Sequence, residues 1–211
     1  MSGLFVQFLD ALSLGNKNRY FYHRRRPKDK YEDLTPYQSL CLLSENRASL
    51  PWNHEISCGD HIGFGSSAAA FKLRIGKPQQ EFKSVNKLTN MLLVYRHKIN
   101  NYKIKSEFHF SGDRLFYFNR TFSYLSQIQK QKLPNVLMEK YNSGNPIDFL
   151  NQKIVDLNGN EIIISHNIVL SLDYIGKQEA AWLYILNDLK NASSNISENA
   201  ERESERLYQK V

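Results

Sequence analysis

Between Met91 and Phe122 the chain holds three strand-length runs separated at Asn100-Asn101 and Ser111-Gly112-Asp113, and in the middle one, Tyr102 to Phe110, Tyr102, Ile104, Phe108 and Phe110 recur at every second or fourth position between polar residues. A two-residue period belongs to a strand with one buried face; a helix repeats at 3.6. Asn tolerates the positive φ that a two-residue hairpin turn demands. Residues 91–98 and 102–110 are therefore predicted to form an antiparallel hairpin, with 115–122 as a third strand. With Asn100-Asn101 at the tip, Lys98 falls opposite Lys103 and Arg96 opposite Lys105. One face carries Met91, Leu93, Tyr95, Ile99, Ile104, Phe108 and Phe110 and is read as the core face. The other carries Arg96, Lys98, Lys103, Lys105, Glu107 and His109. Directly opposed like charges are unfavourable by themselves, so this second face is expected either to be freely solvated or to meet an anionic partner.

The third strand has two registers, and a one-residue slip exchanges its faces. A two-residue turn places Phe116, Phe118 and Phe122 on the basic face beside Arg120. A three-residue turn buries them and leaves Leu115, Tyr117, Asn119 and Thr121 outside. Burial of three Phe favours the second, while aromatics beside Arg120 would mark an interface.

The remaining segments repeat this grammar. Phe5, Phe8, Leu9 and Leu12 suggest a helix over 4–14, and Thr35-Pro36 suggests the start of another over 35–48. Ser66 or Ser67 caps a helix that ends at Gly76-Lys77-Pro78, and about twelve polar residues follow as a loop. A helix is expected over 124–141, broken or kinked at Pro134. Strands follow at 153–157, 160–165 and 168–175, the first two joined at Asn158-Gly159, and then a helix at 177–190. The reading is an α+β fold of two α-βββ units, with an antiparallel sheet covered by helices on one face. Residues 1–50 form an N-terminal helix and basic irregular segment, 51–190 the tandem core, and 191–211 a polar tail.

Chemistry-bearing groups are scattered. Gly63-Phe64-Gly65-Ser66 lacks the Lys-Ser/Thr of a phosphate-binding loop and is no nucleophile elbow. Cys58 with His54 or His61 has no third orienting residue, and the six histidines form no metal-binding spacing. Asp156 and Glu161 face each other across an expected turn tip, a poor acid–base site. No catalytic, cofactor or metal residues are assigned, and an enzyme is not expected. The two cysteines, Cys41 and Cys58, suit a reducing compartment, though the sequence leaves a disulfide between them open. No run is long enough to span a bilayer, and the N-terminus lacks signal-peptide features, so a cytoplasmic location is expected.

The run Gly59-Asp60-His61-Ile62, Gly65-Ser66-Ser67, Ile75-Gly76-Lys77-Pro78, Leu93-Val94-Tyr95 and Phe108-His109-Phe110 with Asp113-Arg114-Leu115 resembles the two-layer modules of the BLIP-like and BamE-like (SmpA/OmlA) proteins. Lys140-Tyr141, Gly144-Asn145-Pro146, 154–160 and 170–174 resemble the second half of tandem versions, so the likeness spans about 56–175. Usual members are exported lipoproteins or secreted inhibitors, and those roles are not carried over. The resemblance implies a concave sheet that holds a protein partner.

The formal charge of +7 favours acidic partners. The expected function is a non-catalytic protein-binding module of inhibitor, immunity or adaptor type, engaging an acidic surface through Arg24, Arg25, Arg26, Arg96, Lys98, Lys103, Lys105 and Arg120. The alternative is nucleic-acid binding through the basic-aromatic cluster at 17–30 and the same hairpin face.

Overall fold

The computed structural model describes residues 27–58, 62–99, 102–142, 146–166 and 169–191. The helix read at 4–14, most of the 17–30 cluster including Arg24, Arg25 and Arg26, and the tail beyond 191 lie outside the described residues. In chain order the elements are α1 (Pro27–Lys30), α2 (Thr35–Glu45), β1 (Ala48–Pro51), α3 (Ala68–Ile75), β2 (Gln80–Lys83), β3 (Met91–Ile99), β4 (Tyr102–Ser111), β5 (Arg114–Ser123), α4 (Gln127–Asn142), β6 (Gln152–Val155), β7 (Glu161–His166) and β8 (Leu170–Ile175). A final helix, α5, covers 180–191.

All eight strands form one mixed sheet in the order β1-β6-β7-β8-β5-β4-β3-β2. Among the described residues, β1 and β6 are the one parallel pair. The meander β2–β5 joins the meander β6–β8 at the antiparallel β5–β8 pair, at the centre of the sheet.

Local signals place most of these elements. Ser67 accepts a hydrogen bond from the Ala70 amide at 3.1 Å and starts α3, and Gly76, at φ +91°, ends it. Leu133, Leu137 and Tyr141 recur every four residues and form the buried stripe of α4. That helix continues through position 134, so the break expected at Pro134 does not occur. Two strands were not foreseen. The expected 79–90 loop contains β2, and β1 starts at Ala48, the last residue of the expected 35–48 helix, which ends at Glu45.

The helices lie on both faces of the sheet, which corrects the single-face expectation. On one face, α3 and α4 pack Phe71, Ile75, Leu133 and Leu137 against Leu93, Tyr95, Phe108, Phe118, Ile162, Ile164 and Tyr174. On the other, α2 and α5 pack Tyr37, Cys41, Trp182 and Ile185 against Leu92, Val94, Tyr117, Ile163 and Ile175. The physical reason is visible in the strands. Leu92-Leu93-Val94-Tyr95 and Ile162-Ile163-Ile164 are unbroken apolar runs, and such runs need cover on both sides.

The third strand combines features of both predicted registers. The turn has two residues, with Gly112 at φ +53° and Asp113 at φ +64°, and Ser111 pairs with Arg114. A bulge between His109 and Phe110 then moves the pairing, so that Phe110 faces Leu115 but His109 faces Tyr117. Phe118 and Phe122 consequently join the α3–α4 face, while Phe116 and Tyr117 both join the α2–α5 face. The hairpin read at Asn158-Gly159 is a longer loop closed by Asp156 N–H donating to Asn160 O.

Candidate partner-binding face

The β3–β4 register pairs Lys98 with Lys103 and Arg96 with Lys105, as the turn chemistry dictates. The Gln79 amide donates to Val94 O at 3.0 Å, so the backbone groups of Val94 point away from β4. By the two-residue period those of Arg96 and Lys98 do the same. Both like-charged pairs are therefore of the non-hydrogen-bonded kind, in which side chains stand closest, with Cα atoms about 4.5 Å apart.

Several contacts are made around this square of cations. Lys105 Nζ lies 2.9 Å from Glu107 Oε1. Arg96 Nη1 donates to Gln80 Oε1 at 3.2 Å, and its backbone amide donates to Gln79 Oε1 at 2.7 Å. Lys103 Nζ stands 5.1 Å from the centre of the Tyr124 ring. Lys98 is exposed, and the other three are half-buried. Burial lowers the Arg96 guanidinium from its ordinary value, and Glu107 acts in the opposite direction.

The remainder of this strand face is not a surface, which corrects the placement of Glu107 and His109 on an exposed basic face. Both are fully buried. Glu107, Asn119 and Asp173 are direct cross-strand neighbours on β4, β5 and β8. The Tyr31 hydroxyl, just past α1, donates to Glu107 Oε2 at 3.2 Å and accepts from Lys30 Nζ at 2.8 Å. Tyr37 of α2 holds its hydroxyl 2.8 Å from both His109 Nδ1 and Thr89 Oγ1. Tyr117 donates to Asp173 Oδ1 at 2.7 Å, and Asn119 donates to the same oxygen.

Burial raises the Asp173 carboxyl above the usual carboxylate range, with the Tyr117 and Asn119 bonds opposing it. Burial, followed by Lys30 and Lys105, pushes His109 well below its ordinary value. Burial likewise pushes the Tyr31 and Tyr117 hydroxyls well up. These groups therefore seat the N-terminal helices on the sheet as a hydrogen-bonded network. Sequence reading missed Tyr31, Tyr117, Asn119 and Asp173. The available signal was the polar alternation Tyr117, Asn119, Thr121 and Ser171, Asp173 in strands whose other residues are apolar.

Arg120 does not belong to the basic face, because the bulge places it on the α3–α4 side. It is buried. Its guanidinium stands 5.8 Å from the Phe118 ring centre and 5.6 Å from that of Tyr174, and its Nη2 donates to Cys58 Sγ at 3.5 Å. Cys41 and Cys58 are both buried and reduced. Asp156 and Glu161 are buried and do not face each other, since Glu161 pairs with Val155. Asp156 instead accepts bonds from the Ile56, Asn158 and Asn160 amides and from Asn160 Nδ2.

Among the described residues no group of three His, Cys, Asp or Glu side chains could hold a metal ion. No described helix is long and apolar enough to cross a membrane. No known protein family, curated protein or solved structure matches this chain.

Proposed function

We propose that the chain is a non-catalytic binding module that presents Arg96, Lys98, Lys103 and Lys105 to an acidic protein surface. The observation that carries this reading is the pairing of like charges at the closest strand spacing, Lys98 against Lys103 and Arg96 against Lys105. Such pairs oppose folding of the free chain, and an anionic partner would relieve them. Patch size favours a protein partner over nucleic acid. Two cross-strand rows span about 5 Å across the strands and about 7 Å along them. That footprint suits one or two carboxylates, whereas phosphate-backbone readers make about 6–10 phosphate contacts. The resemblance to BLIP-like and BamE-like tandem modules supports the same reading, with the two meanders taken as two units sharing one sheet.

The test is affinity purification from the native host at moderate salt after nuclease treatment, using the wild-type chain and Lys98→Glu/Lys103→Glu. The expected result is a stoichiometric protein that survives nuclease and is lost with the double variant. Recovery of nucleic acid alone, released steeply between about 50 and 200 mM salt, would transfer the site to phosphate binding. A protein partner retained by the double variant would place the interface elsewhere.

A further inference from the structure

Strand β2 covers only part of the outer edge of β3. Its register pairs Gln80 with Val94, and continuing that register by two residues sets Pro78 opposite Arg96. Proline has no N–H, so it cannot donate to Arg96 O, and the ladder stops there. The chain turns toward α3 instead, where the Tyr95 hydroxyl donates to Gly76 O at 2.8 Å. At one position a side chain stands in for the missing strand: Gln79 Oε1 accepts the Arg96 amide at 2.7 Å. Beyond it, Arg96 O and the N–H and C=O of Lys98 point out of the sheet edge, because alternate residues of a strand address opposite neighbours. Lys98 is exposed, and among the described residues β2 is the last strand on this side.

Resting on the partner-binding reading of the basic face, we propose that the partner docks an extended acidic segment as an added strand along Arg96 and Lys98, with carboxylates at alternate positions. Residues directly opposed across two strands share a face. The residue paired with Lys98 and the one paired with Arg96, two positions away, therefore both stand on the face of the four cations. An acidic-x-acidic spacing sets one carboxylate against each cation, with Cβ atoms about 5 Å apart. The intervening residue turns to the other face, where His97 is half-buried with its ring 6.1 Å from that of Tyr95. Burial, and then Arg120, lower His97 to about 4, so this ring is neutral at pH 7 and suits an apolar neighbour. Main-chain bonds to the open groups supply affinity, and the alternation of side chains supplies selectivity. The same cations exclude a second copy of this chain pairing through the same edge, because its Arg96 and Lys98 would meet like charges. Lys on an open edge guards against such self-pairing.

The test uses the full chain and three synthetic peptides built from Glu and Val. One alternates the two residues, one has the same composition with its Glu residues in a block, and one alternates them with every Glu amide N-methylated. N-methylation keeps the charge but removes the donors that pair with Arg96 and Lys98. Calorimetric titration measures affinity, and NMR hydrogen exchange reads the Lys98 amide. The alternating peptide should bind about tenfold more tightly than either control, and should slow Lys98 exchange by about tenfold at saturation. Lys98→Glu should abolish its binding. Equal affinity of the three peptides, or a bound peptide that leaves Lys98 exchange unchanged, overturns strand addition and leaves the acidic-partner reading standing on charge alone. Binding by none of them also overturns strand addition, and affinity purification with Lys98→Glu/Lys103→Glu then decides the acidic-partner reading by itself. A Lys98 amide already protected in the free chain overturns the proposal too: sedimentation of a dimer would assign the edge to a second copy, and of a monomer to the chain's own cover.

Discussion

Lys98→Glu should make the free protein more stable while abolishing the binding proposed for the basic face. In the native register Lys98 stands opposite Lys103 in a non-hydrogen-bonded pair, with Cβ atoms about 4.5–5.5 Å apart. Arg96 and Lys105 form the next row on the same face. The nearby carboxylate, Glu107, is already held 2.9 Å from Lys105. The substitution converts a repulsive cross-strand pair into an attractive one. Each such pair contributes about 0.2–1 kcal/mol, so the swing is about 1 kcal/mol at low salt. For a chain of this size that corresponds to a rise in Tm of about 2–4 °C. Lys98→Gln removes the repulsion without adding attraction and should produce about half the rise. Both shifts should be large at 10 mM salt, where the screening length is about 30 Å, and nearly absent at 1 M, where it is about 3 Å. Scanning calorimetry of the three proteins at the two salt concentrations measures this directly. A Tm unchanged or lowered by Lys98→Glu at 10 mM would refute the reasoning, because the four cations would then not be in mutual tension.

Three further outcomes follow from the packing. Asp156→Ala removes the acceptor for the buried Ile56 and Asn160 amides; at about 1–3 kcal/mol for each buried donor left unpaired, urea unfolding should show a loss of about 3 kcal/mol, and a loss under about 0.5 would contradict the assigned bonds. Gly176→Ala places a methyl 2.7 Å from the Phe64 ring, and such overpacking should cost about 1–3 kcal/mol, seen as a lower urea midpoint. His97 is lowered to about 4, first by burial and then by Arg120. Between about pH 4 and its ordinary value the unfolded chain therefore binds more protons than the folded one, so His97's contribution to stability is complete above that window and is lost as pH falls through it. An imidazole NMR midpoint close to 6.5 would contradict that placement.

Local chemistry made much of the fold legible in the sequence. Asn100-Asn101 set the β3–β4 register because a two-residue turn admits one pairing, and Ser67, Gly76 and Pro78 marked the ends of α3 through capping and backbone freedom. The second layer of helices was missed, although Leu92-Leu93-Val94-Tyr95 and Ile162-Ile163-Ile164 carried its signal, since apolar residues at consecutive strand positions must face both sides. The candidate basic face was readable for the same reason as the hairpin: its four cations lie within one locally determined register.

What lay beyond local chemistry was decided by contacts far apart in sequence. The bulge after His109 carries no signature residue. It is selected because it buries Phe118 and Phe122 on one face and Phe116 on the other, and only the assembled sheet rewards that choice. The joining of β5 to β8, the parallel docking of β1 on β6 and the burial of Glu107 under Tyr31 depend equally on partners dozens of residues away. Arg120 shows the division most plainly. Its charge is written in the sequence, but whether that charge meets solvent or Cys58 depends on the face to which one extra residue turns it.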